Sequence, residues 1–163
     1  MDKKFLLRVN DSFKQLKTKI LLNEKVRTML YYDVVDDNIT APVIEQAAEH
    51  IFLQPVIDVD VNEPFNKKNY ITITLPESEK DDNQMNYVFR VIVMCEKTCW
   101  NLNDDIRPLL IAQEIINDLD GFKTKLSNTL KFTSLVETVT NKNVCGYSIL
   151  FDIIDGISDI NEK

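Results

Sequence analysis

Hydrophobic periodicity divides the chain into a helical first third and a longer part in which strand patterns predominate. In residues 3–22 the apolar side chains recur every three or four positions, a spacing that places them on one helix face, at Phe5, Val9, Phe13, Leu16 and Ile20. A second, short helix is predicted in residues 23–32, where Asn23 is a favourable N-cap. A third is predicted in residues 41–53, with Pro42 near its first turn.

The middle of the chain shows the alternation that is typical of strands. Residues 55–61 and 69–75 alternate apolar and polar side chains, which predicts two strands joined by a hairpin connection. Residues 76–85 are acidic, and we expect them to form a solvated, mobile loop. Residues 86–95 are apolar on both faces apart from Arg90, which predicts a central strand covered on both sides.

A long amphipathic helix is predicted in residues 104–121. Asn103 or a following aspartate could cap its free N–H groups. Pro108 is tolerable only within the first turn, so the helix should begin near residues 104–105. Gly121 can end the helix in the left-handed conformation.

The order of these elements predicts an α+β fold, with N-terminal helices and a mainly antiparallel sheet of about five strands that carries one long helix on a face. The last two strands are predicted in residues 129–139 and 144–154. The length of 163 residues suits a single domain. Within it we expect a helical N-terminal part, a sheet with the central helix, and a tail, in residues 1–50, 51–155 and 156–163.

Composition adds an uneven distribution of charge. The net charge is −7, yet residues 1–30 hold eight Lys or Arg against three Asp or Glu. A basic segment on an acidic body favours self-association between unlike surfaces, or contact with nucleic acid through one end, and a solvated helix face explains it equally well. Three cysteines form no closed disulfide framework and favour a reducing compartment. The apolar run before Arg8 is too short for a secretory signal, and no run reaches the length of a membrane span.

Candidate metal and catalytic chemistry is weak in this sequence. The ligand types of a zinc site are present but lack paired-cysteine spacing, at Cys95, Cys99, Cys145 and His50. Residues 58–69 partly match a calcium loop, but Glu63 stands where that loop needs glycine. Lys97 lies near Cys95 and Cys99, but the single histidine is far from both in sequence, so a catalytic cysteine is only a weak alternative. The three glycines are too few and too scattered for a phosphate loop. We therefore expect no metal, no cofactor and no enzymatic activity.

Three features stand out along residues 20–155: an aromatic pair after a short helix, the start of the long helix and a late strand, at Leu30-Tyr31-Tyr32, Arg107-Pro108 and Gly146-Tyr147. In these features and in the order of its elements, the chain resembles bacteriophage neck proteins, the small tail-completion, tail-terminator and head–tail connector proteins. The resemblance implies a structural virion component that forms a homo-oligomeric ring at the head–tail junction, made in the host bacterial cytoplasm. The implied partners are further copies of the chain, a portal or connector protein, and a tail tube or tail hub protein. Genomic DNA would pass through without sequence-specific binding, and neither catalytic residues nor a membrane is implied.

A ring subunit needs two unlike surfaces, and the charge distribution indicates where they lie. We predict that the basic N-terminal segment docks on an acidic surface of a neighbouring subunit or of a partner ring. Because exposed ion pairs are weak and screened by salt, the apolar stripe of that segment should carry much of the affinity. The predicted interface residues are Phe5, Val9, Phe13, Lys14, Lys17 and Arg107.

Arg107 and Trp100 are expected to act at the joint between a strand and the long helix. A cation at the positive end of a helix is costly unless it has a carboxylate partner, so Arg107 should find one in its own subunit or in a neighbour. Trp100 should pack where the strand and the helix meet. The alternative to a ring is a non-enzymatic protein-binding module or assembly chaperone that uses the basic N-terminal helix.

Overall fold

Helices and strands follow one another in the order that the sequence predicts for an α+β fold. The computed structural model describes residues 3–36, 38–53, 68–75, 78–81, 84–125, 129–139 and 143–156. The helices are α1 Lys3–Leu22, α2 Glu24–Tyr31, α3 Ile44–Ala48 and α4 Arg107–Leu119. The strands are β1 Ile51–Phe52, β2 Asn69–Thr74, β3 Ser78–Asp81, β4 Gln84–Glu96, β5 Asn101–Leu102, β6 Asp105–Ile106, β7 Lys131–Val139 and β8 Val144–Gly156. A 3-10 turn, Lys97–Cys99, follows β4.

The main sheet has the strand order β1-β2-β4-β8-β7, and β3 pairs with β4 as well. Neighbouring strands are antiparallel except for β1 and β2. Strand β4 pairs with β8 along its whole length, in a register that sets Phe89 opposite Phe151. On its other side β4 pairs with β2 over residues 90–95 and with β3 over residues 84–87. The central position of β4 and the two predicted final strands are therefore confirmed. The expected cover on both faces is only partial, because Val88, Arg90 and Ile92 on the second face are half-buried.

The core lies between one face of this sheet and the helices. Alternating residues of β4 and β8 are fully buried, at Phe89, Val91, Val93, Ile149, Phe151 and Ile153. The helices contribute fully buried side chains to the same core, at Leu16, Ile20, Ile111, Ile115 and Leu119. Each such side chain contributes about 1.5–3 kcal/mol relative to its exposed state. From Val9 onward the predicted stripe of α1 is thus used inside the chain, and the amphipathic helix α4 buries its apolar face in the same core.

Gly146 shows how closely β8 approaches its neighbour. A Cβ atom at this position would lie 1.8 Å from the carbonyl oxygen of Val93, in backbone that cannot move aside. Only glycine fits at this position, which gives a physical reason for Gly146 in the Gly146-Tyr147 pair of the late strand.

The first helices agree closely with the predicted pattern, and α3 does not. Asn23 caps α2, because its side chain accepts a hydrogen bond from the backbone N–H of Val26. The predicted third helix was too long: α3 has five residues, and Ile51–Phe52 forms a strand parallel to β2. Pairing with β2 takes priority over helical spacing in this segment.

Strand pairing corrects two further expectations. The acidic segment 76–85 is not wholly a loop, because β3 Ser78–Asp81 pairs with β4. Helix α4 begins at Arg107 rather than near residues 104–105, because β5 and β6 form a small hairpin before it. Asn103 turns that hairpin with a φ of 55°, so it does not cap the helix. Gly121 follows the end of α4 with a φ of 80°, as predicted.

Some expectations fall outside the described residues. These are the predicted strand at 55–61, nearly all of its connection to β2, and most of the calcium-like segment 58–69. Strand β8 continues to Gly156, and residues 157–163 of the expected tail are also outside. No described helix is long and apolar enough to cross a membrane.

Three cationic side chains bind the carbonyl groups at the ends of the first three helices. Lys17 donates to the backbone oxygens of Ala48 at 3.1 Å and Ile51 at 2.7 Å, after α3. Arg27 donates to the oxygen of Leu21 at 2.6 Å, at the end of α1. Carbonyl groups at a helix C-terminus lack intrahelical partners and carry partial negative charge, so a cation satisfies both needs.

Arg107 makes the most buried of these contacts. It is 0% exposed, and its guanidinium donates to the backbone oxygens of Met29 at 2.8 Å, of Tyr32 and of Asp33. Its hydrogen-bond partners are therefore the carbonyls at the end of α2 and not the carboxylate that the sequence led us to expect. The contact joins the first turn of α4 to the last turn of α2.

Arg107→Met should lower the free energy of unfolding by about 3 kcal/mol or more, because one buried and two partly buried carbonyl groups lose a charged donor. Arg107→Lys should recover part of that loss, since ammonium cannot reproduce the forked geometry. Urea unfolding followed by the fluorescence of Trp100, the single tryptophan, measures the effect. Arg8 is exposed, so Arg8→Met is the matched control and should change stability by less than about 0.5 kcal/mol. Equal stabilities of the two Met variants would contradict the assigned role.

Candidate assembly surfaces

A charged cluster surrounds Asp33, in the loop after α2. Lys68 donates to one carboxylate oxygen of Asp33 at 2.5 Å, and the Cys99 thiol lies 3.5 Å from the other. The hydrogen bond from Lys68 lowers the pKa of Asp33, and Asp33 in turn raises the pKa of Lys68. Burial raises the pKa of the Cys99 thiol, which keeps it protonated near neutral pH and weakly nucleophilic. The cluster holds the α2 loop against the turn after β4.

The other zinc and catalytic candidates also have structural surroundings. Cys95 and Cys145 face each other across β4 and β8, and burial raises the pKa of Cys95 to about 12. His50 is buried, with Nδ1 2.7 Å from the backbone oxygen of Asn69. Over the described ranges, no group of three or more His, Cys, Asp or Glu side chains could hold a metal ion.

The predicted interface residues are placed mostly inside the chain. Val9 is 7% exposed, and Phe13 packs edge-on against Phe89 with ring centroids 5.2 Å apart. Lys17 and Arg107 bind internal carbonyl groups, as described above. Lys14 is exposed. Phe5 lies in the first turns of α1, and its side chain is outside the described set.

Part of the basic N-terminal charge is also matched within the chain. Lys25 and Lys19 pair with Glu114 and Asp118 of α4 at 3.1 Å and 3.8 Å. The side-chain amide of Asn23 donates to the same two carboxylates. From Val9 onward the stripe of α1 therefore packs in this subunit's own core, and Lys19 and Lys25 bind α4. Among the predicted interface residues whose side chains are described, Lys14 is the exposed one.

Strand β7 forms one long edge of the main sheet. It pairs with β8 on one side, and no described strand pairs with its other side. Beyond Phe132, which packs against the core, its apolar side chains remain exposed, at Leu135 (38%), Val136 (51%) and Val139 (66%). The strand has nine residues, with an irregularity in pairing between Phe132 and Ser134. A long, exposed edge with apolar side chains is a template for pairing with another chain.

A groove lies between α2, α4 and the loop that follows α2. Its volume is about 410 Å³, and its floor is mainly apolar, formed by Met29, Val35, Ile39, Ala41, Leu102 and Leu110. Its rim carries three carboxylates and one ammonium group, from Glu24, Asp36, Glu114 and Lys25. The volume is in the range of ligand-binding clefts, and the rim favours cationic or hydrogen-bond-donating partners. No sequence pattern pointed to this groove, because its walls come from segments distant in the chain.

Comparison with known proteins places this architecture in a family. The model of the YomW family matches residues 23–153, which is most of the chain. The chain belongs to the YomW family. YomW is a phage-derived family of Bacillus type, so the protein is phage-associated. A search of curated proteins finds no match.

The YomW match agrees with the extent of the resemblance to phage proteins, which was placed at residues 20–155. It starts at the N-cap of α2 and ends within β8. The edge strand β7 and the groove both lie inside the YomW segment, whereas α1 precedes it.

Thiol labelling tests the surroundings of the cysteines. In the folded protein a maleimide should modify Cys145, which is half-buried, well before Cys95. With a pKa of about 12, only about one Cys95 side chain in ten thousand is a thiolate at pH 8. Peptide mapping by mass spectrometry gives the rate at each position, and all three should react at similar rates in urea. Fast labelling of Cys95 in the folded chain would contradict its assigned burial.

The Asp33 pair predicts a pH dependence of stability. Because the folded-state pKa of Asp33 lies below its ordinary value of 3.8, the ionised carboxylate stabilises the folded state. This contribution is present above pH 3.8 and is lost as the pH falls through the lower folded-state value. Asp33→Asn should therefore be less stable than the wild type at neutral pH, and the gap should close in acid. Asp104→Asn, at an exposed hairpin residue, is the control. A gap that stays constant with pH would contradict the assignment.

Proposed function

We propose that the chain is a structural virion component that forms a homo-oligomeric ring at the head–tail junction, the neck, of a tailed bacteriophage. In this role it joins the portal or connector protein to the tail tube or tail hub protein. Genomic DNA passes through the ring without sequence-specific binding. The protein is made in the cytoplasm of the host bacterium and ends in the virion.

The observation that carries this proposal is the outer edge of β7, which pairs with no strand in the described ranges. Proteins that function alone protect such edges with charge, proline, bulges or a covering segment. In β7 the apolar residues Leu135, Val136 and Val139 remain exposed over the half of the strand beyond the pairing irregularity. Addition of a neighbour's strand or segment along this side would form further backbone hydrogen bonds and cover these side chains. A phage-derived family supplies a context in which subunits are assembled in this way.

A closed ring also needs a second, unlike surface, because its contacts are heterologous. The acidic groove between α2 and α4 differs from β7 in shape and charge. Two such surfaces on one subunit support a head-to-tail assembly better than a symmetric dimer, in which one patch meets itself.

The chemistry of the described residues supports a non-enzymatic role. The Cys95 and Cys99 thiols are held in their protonated forms, and His50 binds a backbone oxygen. Asp33 is held by Lys68 beside a protonated thiol, an arrangement without an activated nucleophile.

A second candidate is a non-enzymatic protein-binding module or assembly chaperone. Such a module was expected to use the basic N-terminal helix, but Lys17, Lys19 and Lys25 have partners within the chain. The groove favours this candidate instead, since an apolar floor with a polar rim can hold a segment of another protein.

Complementation tests the ring. A phage that lacks the gene should yield heads and tails that fail to join, and the wild-type chain supplied in the host should restore joined particles. Val136→Lys with Val139→Lys should not restore them, because two cations at the strand edge block pairing. The expected loss is about 3 kcal/mol of contact energy, or roughly a hundredfold in affinity.

The control places the same kind of change on other exposed apolar residues. Val43→Lys with Ile44→Lys, at the start of α3, should restore joined particles. Circular dichroism and urea unfolding establish that both double variants fold. Quantitative mass spectrometry of purified virions then measures incorporation. If the wild-type chain is required for assembly but absent from finished particles, the ring is excluded in favour of the chaperone.

A further inference from the structure

The acidic groove has a floor and a rim that define the chemistry of its occupant. Met29 and Leu102 are each 7% exposed, so the floor is formed by well-packed apolar side chains. At the rim, Glu24 is 80% exposed, and its nearest cation, Arg27, lies at 3.7 Å. Asp36 is exposed in the loop at the other side of the groove. The groove therefore suits a segment that combines large apolar side chains with positive charge.

The start of α1 has that composition. Residues 3–8 read Lys-Lys-Phe-Leu-Leu-Arg, with three cations, three large apolar residues and no acid. Leu7 is 63% exposed, and Arg8 is exposed as well. Along α1, Val9 is the first described residue that is buried in the core. An exposed leucine among cations remains after the core of this subunit has been formed.

This segment cannot occupy the groove of its own subunit. Glu24, at the rim, comes two residues after the end of α1 at Leu22. Helix α1 is continuous from Lys3 to Leu22, so its rise of 1.5 Å per residue keeps the two ends about 28 Å apart. The donor segment and the acceptor groove thus lie at opposite ends of one rigid helix that is packed into the core.

We infer that residues 3–8 of one copy bind in the acidic groove between α2 and α4 of a second copy. The cations of the segment face the Glu24 and Asp36 side of the rim, and its apolar side chains cover the floor. Donor and acceptor at opposite ends of α1 give a head-to-tail contact, which closes into a ring when the rotation between copies allows. This inference rests on the proposed ring, since it supplies the groove contact between adjacent subunits.

A peptide of residues 1–12 carrying a fluorophore at its C-terminal end tests the contact outside the virion. Fluorescence anisotropy during titration with the full chain should show saturable binding that weakens as salt is added. The variant Glu24→Lys with Gln113→Lys reverses the charge of the rim with two residues that lie on helices. It should weaken binding by about tenfold or more.

The matched control has the same two substitutions on another helix. Glu45→Lys with Gln46→Lys changes exposed residues of α3, and Glu45 lies in a first helical turn, as Glu24 does. This variant should bind the peptide as the wild type does. A peptide with Lys3→Glu and Lys4→Glu should not bind the wild-type chain but should bind the charge-reversed groove. A peptide with Leu7→Asp should bind neither, because the apolar floor is then left uncovered.

The inference is overturned if the wild-type peptide does not bind, or if the rim variant binds it as well as the control variant does. The inference is also overturned if the wild-type peptide binds but the charge-reversed peptide does not bind the charge-reversed groove. The wild-type peptide would then bind at a site other than the groove. These outcomes do not depend on particles. If the peptide binds the groove in solution but the chain is absent from virions, the contact between copies is supported and the ring is overturned. If the chain is incorporated into virions but the peptide does not bind the groove, the ring is supported and the contact is overturned.

Discussion

The contact between Arg107 and the end of α2 fixes the geometry on which the rest of the molecule depends. A guanidinium that is 0% exposed binds the backbone oxygens of Met29, Tyr32 and Asp33, so the last turn of α2 and the following loop take one position against α4. The groove consists of these elements, and Asp33 meets Lys68 and Cys99 because the loop is held there. Loss of this one cation would free a wall of the groove as well as cost stability.

Contacts of cations with groups inside the chain account for much of its charge asymmetry. Lys17, Arg27 and Arg107 satisfy carbonyl groups at the ends of α3, α1 and α2, and Lys19 and Lys25 meet the acidic face of α4. A count of charges along the sequence cannot distinguish a cation that binds backbone carbonyl groups of its own chain from one that is available to another molecule. Much of the basic N-terminal segment is therefore structural, and the described cations left over include the exposed Arg8 and Lys14.

The fold was more predictable than its surfaces. Periodicity located α1, α2, β2, β4, β7 and β8 because burial in one core imposes the same spacing on sequence and structure. It missed β3, whose polar sequence becomes a strand by pairing with β4, and the β5–β6 hairpin, where Asn103 adopts a positive φ. It also assigned the stripe of α1 to another subunit, because apolar spacing marks a buried face without saying whose core buries it.

The apolar side chains left outside the core indicate how assembly can proceed. On β7 they lie along an edge that pairs with no described strand, where backbone hydrogen bonding would set both direction and register for an added strand. In the groove they lie beneath carboxylates, which select a cationic segment and repel an acidic one. Because the body of the chain is acidic, two such bodies repel each other unless the basic segment of one meets the groove of the other. The charge asymmetry thus favours one relative orientation of two subunits. The edge strand β7 can then supply contact area between them.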